Sequence, residues 1–244
     1  LYPTSIKLMH EIPSDLNNYS FVLDLAFENH NNEEVKNITE SYLEVIFGKI
    51  SSNEDLRSTL LSHCINKKQK VNINAFLQKY GRELVNKRSN IASVVGPLHE
   101  AVSTEDVEIV KLFLEAGADP NLKDYFGTTP LHYGALLDNF ETIVPEILRA
   151  GGNIDAQDNS GKTILHYAVE SRDLRRVKFV VSQGANLNLE SETSATPLDL
   201  ALRFGNQETV EYLRSRNAIQ SSPVWVPGLR FFNSILSYFR SVAG

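Results

Sequence analysis

The sequence predicts an all-α solenoid of stacked helix pairs. Three observations predict it: a repeat of 33–34 residues, a helix-start signal at the head of each repeat, and a glycine stop further on. The heads are Gly-Pro-Leu-His-Glu-Ala (96–101), Thr-Pro-Leu-His-Tyr-Gly (129–134), Thr-Ile-Leu-His-Tyr-Ala (163–168) and Thr-Pro-Leu-Asp-Leu-Ala (196–201). Their second residues, Pro97, Pro130, Ile164 and Pro197, are 33, 34 and 33 positions apart. With 244 residues, 42% hydrophobic and 22% charged, the chain is long and apolar enough for a substantial core.

The region 1–93 carries helix-period apolar patterns at 21–27, 34–47, 55–64 and 73–80. It also holds a weak echo of the repeat. The run Phe76 to Gly81 resembles the run Phe113 to Gly117, and Gly48 lies 33 residues before Gly81. Two degenerate repeats are expected here; a separate small helical domain capping the stack is the alternative.

Each repeat at 94–218 then follows one plan. Thr129, Thr163 and Thr196 are suited to N-capping a first helix, and Pro130 and Pro197 take its first position, where a missing N–H costs nothing. Leu98, Leu131, Leu165 and Leu198 open an apolar stripe, and small residues (Ala101, Ala135, Ala168, Ala201) admit a close neighbour. A second apolar helix follows, as at Val107–Leu114 and Val177–Val181. Gly117, Gly151 and Gly184 stop it in a left-handed conformation, with Asn217 as the usual substitute. The Asp/Asn-rich stretches between repeats are turn chemistry. One such pair cannot bury its own apolar face, so it must stack.

The tail, 219–244, breaks the pattern. After the breaker run Ser221 to Gly228 comes an amphipathic helix whose polar stripe includes Arg230 and Arg240. Its apolar face includes Phe231, Phe232, Leu236 and Phe239, with Trp225 just before it, and no Asp or Glu follows Glu211. Three roles are open: a cap on the last repeat, a contact with an anionic membrane surface, or docking into another domain.

These two in-phase motifs make the chain resemble the ankyrin repeat over roughly 94–218. The resemblance implies finger loops and a concave surface, formed by finger tips and the exposed side of the first helices, that grips a partner protein. Mapped by offset, the second repeat places Tyr125 and Phe126 on its finger, and Leu136 and Leu137 on its first helix. The third places Asn159, Ser160, Lys162, Glu170 and Ser171 on that surface. The fourth places Glu192, Thr193, Arg203 and Phe204 there. Scaffold requirements explain none of these choices, so the cluster is the expected partner site. Packing of Tyr125 and Phe126 against the next finger is the alternative, and a second copy of the chain could occupy the same patch.

Catalytic and metal readings are excluded by spacing. His99, His132 and His166 recur once per repeat, about 10 Å apart in a stack, too far to share one zinc ion. They are expected to hydrogen-bond between adjacent turns, and Asp199 stands in for histidine at the stack end. His63 and Cys64 are adjacent, so on a helix they diverge by about 100° and form no nucleophile–base pair. No metal site, cofactor or enzymatic activity is expected. A net charge of −6 argues against nucleic acid. The single cysteine, Cys64, rules out an internal disulfide and fits a reducing, cytoplasmic setting. The chain opens on Leu1 rather than Met and carries no basic stretch followed by an apolar one, so no signal peptide is expected within it, and it reads as a piece of something longer. The function expected is non-enzymatic protein binding. The alternative is the recognition portion of a host-directed effector or toxin, acting in host cytoplasm, whose tail engages membrane.

Overall fold

The computed structural model describes residues 19–20, 23–24, 46–48, 50–87 and 95–221. Among them all regular structure is helical, and no helix is long and apolar enough to cross a membrane. The expected helices at 21–27 and 34–47 lie largely outside the described residues. So does the tail from 222, with Trp225, Arg230, Phe231, Phe232, Leu236, Phe239 and Arg240. The chain forms two compact units, one ending at Asn153 and the other beginning at Ile154.

In the first unit, α1 (Glu54–Asn66) and α2 (Lys70–Leu84) precede α3 (Pro97–Ser103), α4 (Val107–Glu115), α5 (Pro130–Gly134) and α6 (Phe140–Arg149). Helix α1 packs on α3, which packs on α5; α2 packs on α4, which packs on α6. First helices therefore line one layer and second helices the other. The core between them holds Leu60, Phe76, Leu98, Phe113, Leu131, Phe140 and Ile147, all at most 2% exposed. N-caps recur where short polar side chains precede the second helices. Asp106 accepts from Glu108 N–H at 3.0 Å, and Asn53 does the same for α1 through Leu56 N–H.

The second unit repeats the plan with α7 (Ile164–Glu170), α8 (Leu174–Ser182), α9 (Pro197–Arg203) and α10 (Gln207–Ser215). Here α7 packs on α8 and α9, and α10 on α8 and α9. The stops fall where the sequence places them: Gly117, Gly151 and Gly184 have φ of +88°, +94° and +91°, and Asn217 has +62°.

Side-chain rungs tie each turn to the next. Asn86 Oδ1 accepts Asp119 N–H at 2.7 Å, and Asn121 Oδ1 accepts Asn153 N–H at 2.7 Å. In the second unit Asp155 accepts Asn186 N–H and Asn188 accepts Ile219 N–H, at 2.8 and 2.7 Å. Asn86 and Asn121 also donate to the carbonyls of Gly117 and Gly151. Asn86, after α2, thus stands toward α4 as Asn121, after α4, stands toward α6.

Three local expectations change. Gly81 does not stop α2, which runs on to Leu84. Instead Gly81 sits where a Cβ would approach Ala116 Cβ at 3.7 Å, so the small residue serves packing on α4. The small residue of the second repeat's first helix is Gly134, 33 residues after Ala101; a Cβ there would meet Val144 Cγ2 at 3.4 Å. Ala135 caps α5 instead. With glycine near its end α5 spans 5 residues where α3, α7 and α9 span 7, so Leu136 and Leu137 lie in the turn beyond it rather than on the helix.

Pro145 sits inside α6, five positions beyond Phe140. Proline there leaves the Glu141 carbonyl without its helical N–H donor and crowds it. Pro145→Ala is expected to raise stability by about 1–3 kcal/mol, read as a higher urea midpoint. An unchanged midpoint would show that this turn of α6 is not under helical constraint.

Candidate functional site

The geometry of the fingers begins with a buried acid that the sequence reading missed. Asp124, 4% exposed, folds the finger around itself. Its Oδ1 accepts the N–H groups of Phe126 and Thr128, each at 2.8 Å, and its Oδ2 accepts the hydroxyls of Thr128 and Tyr133. Its own N–H donates to the Thr128 carbonyl at 2.9 Å. The acid thus closes the hairpin and pins it to α5 through Tyr133, whose phenol is pushed up to about 12 by burial and by the neighbouring Asp124 carboxylate.

The closed hairpin leaves Tyr125 and Phe126 at its tip. They are 72% and 61% exposed, and their rings meet edge to face at 5.5 Å. Leu136, in the turn after α5, is 48% exposed, and Leu137 is half-buried. So the rings pack on each other and still face solvent.

In the second unit Asp158 plays the same part. It accepts from Ser160 N–H, Lys162 N–H and the Tyr167 hydroxyl at 2.8, 2.9 and 2.7 Å. Burial disfavours its charge, but these hydrogen bonds prevail and hold its carboxyl below the ordinary value. The next finger joins it, Glu192 N–H donating to the Ser160 carbonyl at 2.9 Å. Asn159, Ser160, Glu192 and Thr193 are exposed at the tips, and Ser171 and Arg203 are exposed beyond α7 and at the end of α9. Lys162 and Glu170 form an ion pair at 2.7 Å, and Lys162 also lies 5.6 Å from the Tyr167 ring centre. Phe204 is half-buried beneath the Arg172 guanidinium at 5.4 Å. A signal for the finger acids was present in the sequence: Asp124 and Asp158 each precede the motif's second residue by six positions and a tyrosine by nine.

The motif histidines are structural in their contacts. His99 Nδ1 accepts Gly96 N–H at 3.2 Å, so Nε2 carries the proton and donates to the Thr128 carbonyl at 3.0 Å. His166 does the same with Thr163 N–H and the Ala195 carbonyl, both at 3.1 Å. Burial lowers the His166 pKa below its ordinary 6.5, against the opposing pull of the Ala195 hydrogen bond and the Glu170 carboxylate. The native second unit therefore binds fewer protons than its unfolded chain, and it loses stability as pH falls below about 6.5. Thermal melts between pH 7.5 and 5.5 are expected to show this decline, and NMR titration is expected to find His166 neutral where a free histidine is charged. A His166 imidazole that titrates above 6.5 would contradict it.

Cys64 is fully buried, and burial together with the Asp24 carboxylate pushes its thiol far up. His63 is held by Asp24 at 2.9 Å. Among the described residues no group of His, Cys, Asp and Glu is placed to hold a metal ion.

The model of the ankyrin repeats family, in three copies, matches residues 98–191 and 131–222. Over 124 residues the chain is 28% identical to an ankyrin repeat protein of fowlpox virus (strain NVSL), covering 50% of this chain and 64% of that one. It is 31% identical over 171 residues to ankyrin repeat domain-containing protein 46 of Danio rerio, covering 59% of this chain and 73% of the relative. A shorter stretch of 36 residues is 58% identical to NF-kappa-B inhibitor alpha of Sus scrofa, 15% of this chain and 12% of that protein. The chain spans 64%, 24% and 18% of the length of three fowlpox relatives.

Proposed function

Because the chain belongs to the ankyrin-repeat family, we propose that it is a non-enzymatic protein-binding module whose principal contact is the aromatic finger tip of the first unit. The observation that carries this reading is the exposure of Tyr125 and Phe126, 72% and 61%, on a hairpin whose shape Asp124 already fixes. Two rigid aromatic rings held out by buried hydrogen bonds lose little freedom when covered, which is what an interface anchor needs. Leu136 and Leu137 add apolar surface. The stretch between Asp124 and Arg149 contains Asp138, Glu141 and Glu146 but no Lys or Arg, so the complementary partner surface is apolar with a basic rim. Within the second unit Asn159, Lys162, Glu170, Glu192, Arg203 and Phe204 offer a more polar set of contacts of their own.

The test is affinity capture followed by measurement of the purified partner. The double variant Tyr125→Ala/Phe126→Ala is expected to weaken binding by about 30-fold or more, with an unchanged helical signal and melting temperature. Equal affinity would move the contact elsewhere, and a large drop in melting temperature would make the rings core. Light scattering distinguishes a foreign partner from a second copy of the chain.

A second reading, the recognition portion of a host-directed protein working in host cytoplasm, is favoured by the likeness to three fowlpox virus ankyrin-repeat proteins. It keeps the same contact surface and changes only whose protein is bound.

A further inference from the structure

The finger that precedes α9 has the backbone of those preceding α5 and α7 but not their acid. Six positions before the motif's second residue stand Asp124, Asp158 and Ser191. Each donates its N–H to the carbonyl four residues on, at 2.9, 3.0 and 3.0 Å, and its carbonyl accepts the N–H three residues on, at 3.1, 3.0 and 2.8 Å. That third residue is left-handed every time, Gly127, Gly161 and Ser194 having φ of +76°, +72° and +56°. The same hairpin thus recurs, and the side chain at its base is what differs.

That side chain decides where two donors go. In the earlier fingers one carboxylate oxygen collects the N–H groups two and four residues on, those of Phe126 and Thr128 and those of Ser160 and Lys162. Their counterparts on Thr193 and Ala195 reach no acceptor among the described residues, and Ala195 is only 5% exposed. Serine is too short to replace the acid. Its oxygen lies one bond nearer the backbone than a carboxylate oxygen, and it meets the Thr193 hydroxyl at 2.9 Å instead. Leu200 stands where Tyr133 and Tyr167 bring a phenol to the earlier acids.

Converging backbone N–H groups form an anion-binding arrangement, and a buried one calls for an acceptor. The finger before α7 shows what such donors do, since they help hold the Asp158 carboxyl below its ordinary value although burial opposes its charge. Glu190 and Glu192 flank Ser191, but both are exposed and act through screening water, whereas the two N–H groups would bond an anion directly. Thr193 is exposed, so its donor lies within reach from the finger tip.

We propose that the finger before α9 takes an aspartate side chain of the bound protein, whose carboxylate accepts the N–H groups of Thr193 and Ala195 as Asp158 accepts those of Ser160 and Lys162. The proposal rests on the protein-binding reading above and gives the second unit a polar anchor of defined chemistry. Aspartate is the occupant because its carboxylate is the group this hairpin already holds at Asp124 and Asp158.

The experiment titrates the full chain, at constant ionic strength, with a blocked peptide bearing one Asp, and follows the amides by NMR. The Thr193 and Ala195 amide protons are expected to move downfield and saturate, and a peptide with Asn in place of that Asp is expected to bind about 10-fold more weakly. Ser191→Asp supplies the carboxylate from within. It is expected to slow exchange of the Ala195 amide by about 10-fold and to abolish the response to the peptide. A Ser191→Asp chain that melts below the wild type shows that Glu190 and Glu192 repel an acid here, and overturns the proposal. Unchanged Ala195 exchange in that variant does the same. So do equal responses to the two peptides, or shifts no larger than chloride produces, the donors then being hydrated only. Because the peptide stands in for the partner, these outcomes are separate from failure of the protein-binding reading, which the Tyr125→Ala/Phe126→Ala variant tests.

Discussion

His166→Ala is expected to lower the stability of the second unit by about 2–4 kcal/mol. The imidazole accepts Thr163 N–H at 3.1 Å and donates to the Ala195 carbonyl at 3.1 Å, and it is fully buried. Alanine leaves the Thr163 N–H, on a residue 1% exposed, without its acceptor, and opens a void where the ring stood. The Ala195 carbonyl loses one donor but still accepts Ser191 N–H at 3.0 Å, which keeps the loss below that of two orphaned groups. Tyr167→Phe on the same helix removes the hydroxyl bond to Asp158 at 2.7 Å while keeping the ring, and serves as the comparison, expected to cost about 1 kcal/mol. Urea denaturation of both variants measures the difference. Similar midpoints would mean that water replaces the imidazole's contacts.

Gly161→Ala is the second large loss, about 2–4 kcal/mol. The residue has φ +72°, and a Cβ there would lie 2.7 Å from Glu192 N and 3.0 Å from the Ser191 backbone. Left-handed backbone and an immovable neighbour therefore act together, because the next finger approaches so closely that Glu192 N–H reaches the Ser160 carbonyl. Gly184→Ala separates the two causes. Its φ is +91°, yet a Cβ there would meet nothing within 4 Å, so only the conformational cost of about 1 kcal/mol remains. If the two variants melt alike, the fingers part without cost and their contact is loose. If Gly161→Ala is clearly the weaker, the fingers of the second unit form one rigid edge.

Much of this was legible in the sequence because one physical plan recurs. Pro130 and Pro197 begin helices, Gly117 and Gly184 end them, and His99 and His166 bridge turns, each for a local reason that any single repeat displays. What was not legible depended on neighbours. Repeat register already points to Gly134 rather than Ala135, but why the position must be small shows only when Val144 is seen against it, and Gly81 reads as a helix stop until Ala116 is seen beside it. Asp124 and Asp158 look like ordinary turn acids, since a carboxylate that folds a finger and one that merely tips it share the same sequence. Asn86 carries no repeat motif around it, yet its side chain makes the same pair of bonds as Asn121. In that region hydrophobic pattern had decayed while a single polar geometry persisted.

The rungs made by Asn86, Asn121, Asp155 and Asn188 have a polarity. Each side chain belongs to the earlier repeat and grips main-chain groups of the later one. If the later repeat peels away, all that is left behind is a solvated amide or carboxylate, whereas melting of the earlier one strips ties from a backbone that is still folded. Within each compact unit, fraying is thus easier from the C-terminal side, and a pulling force applied there would open the unit one helical pair at a time, like a zip with a single slider.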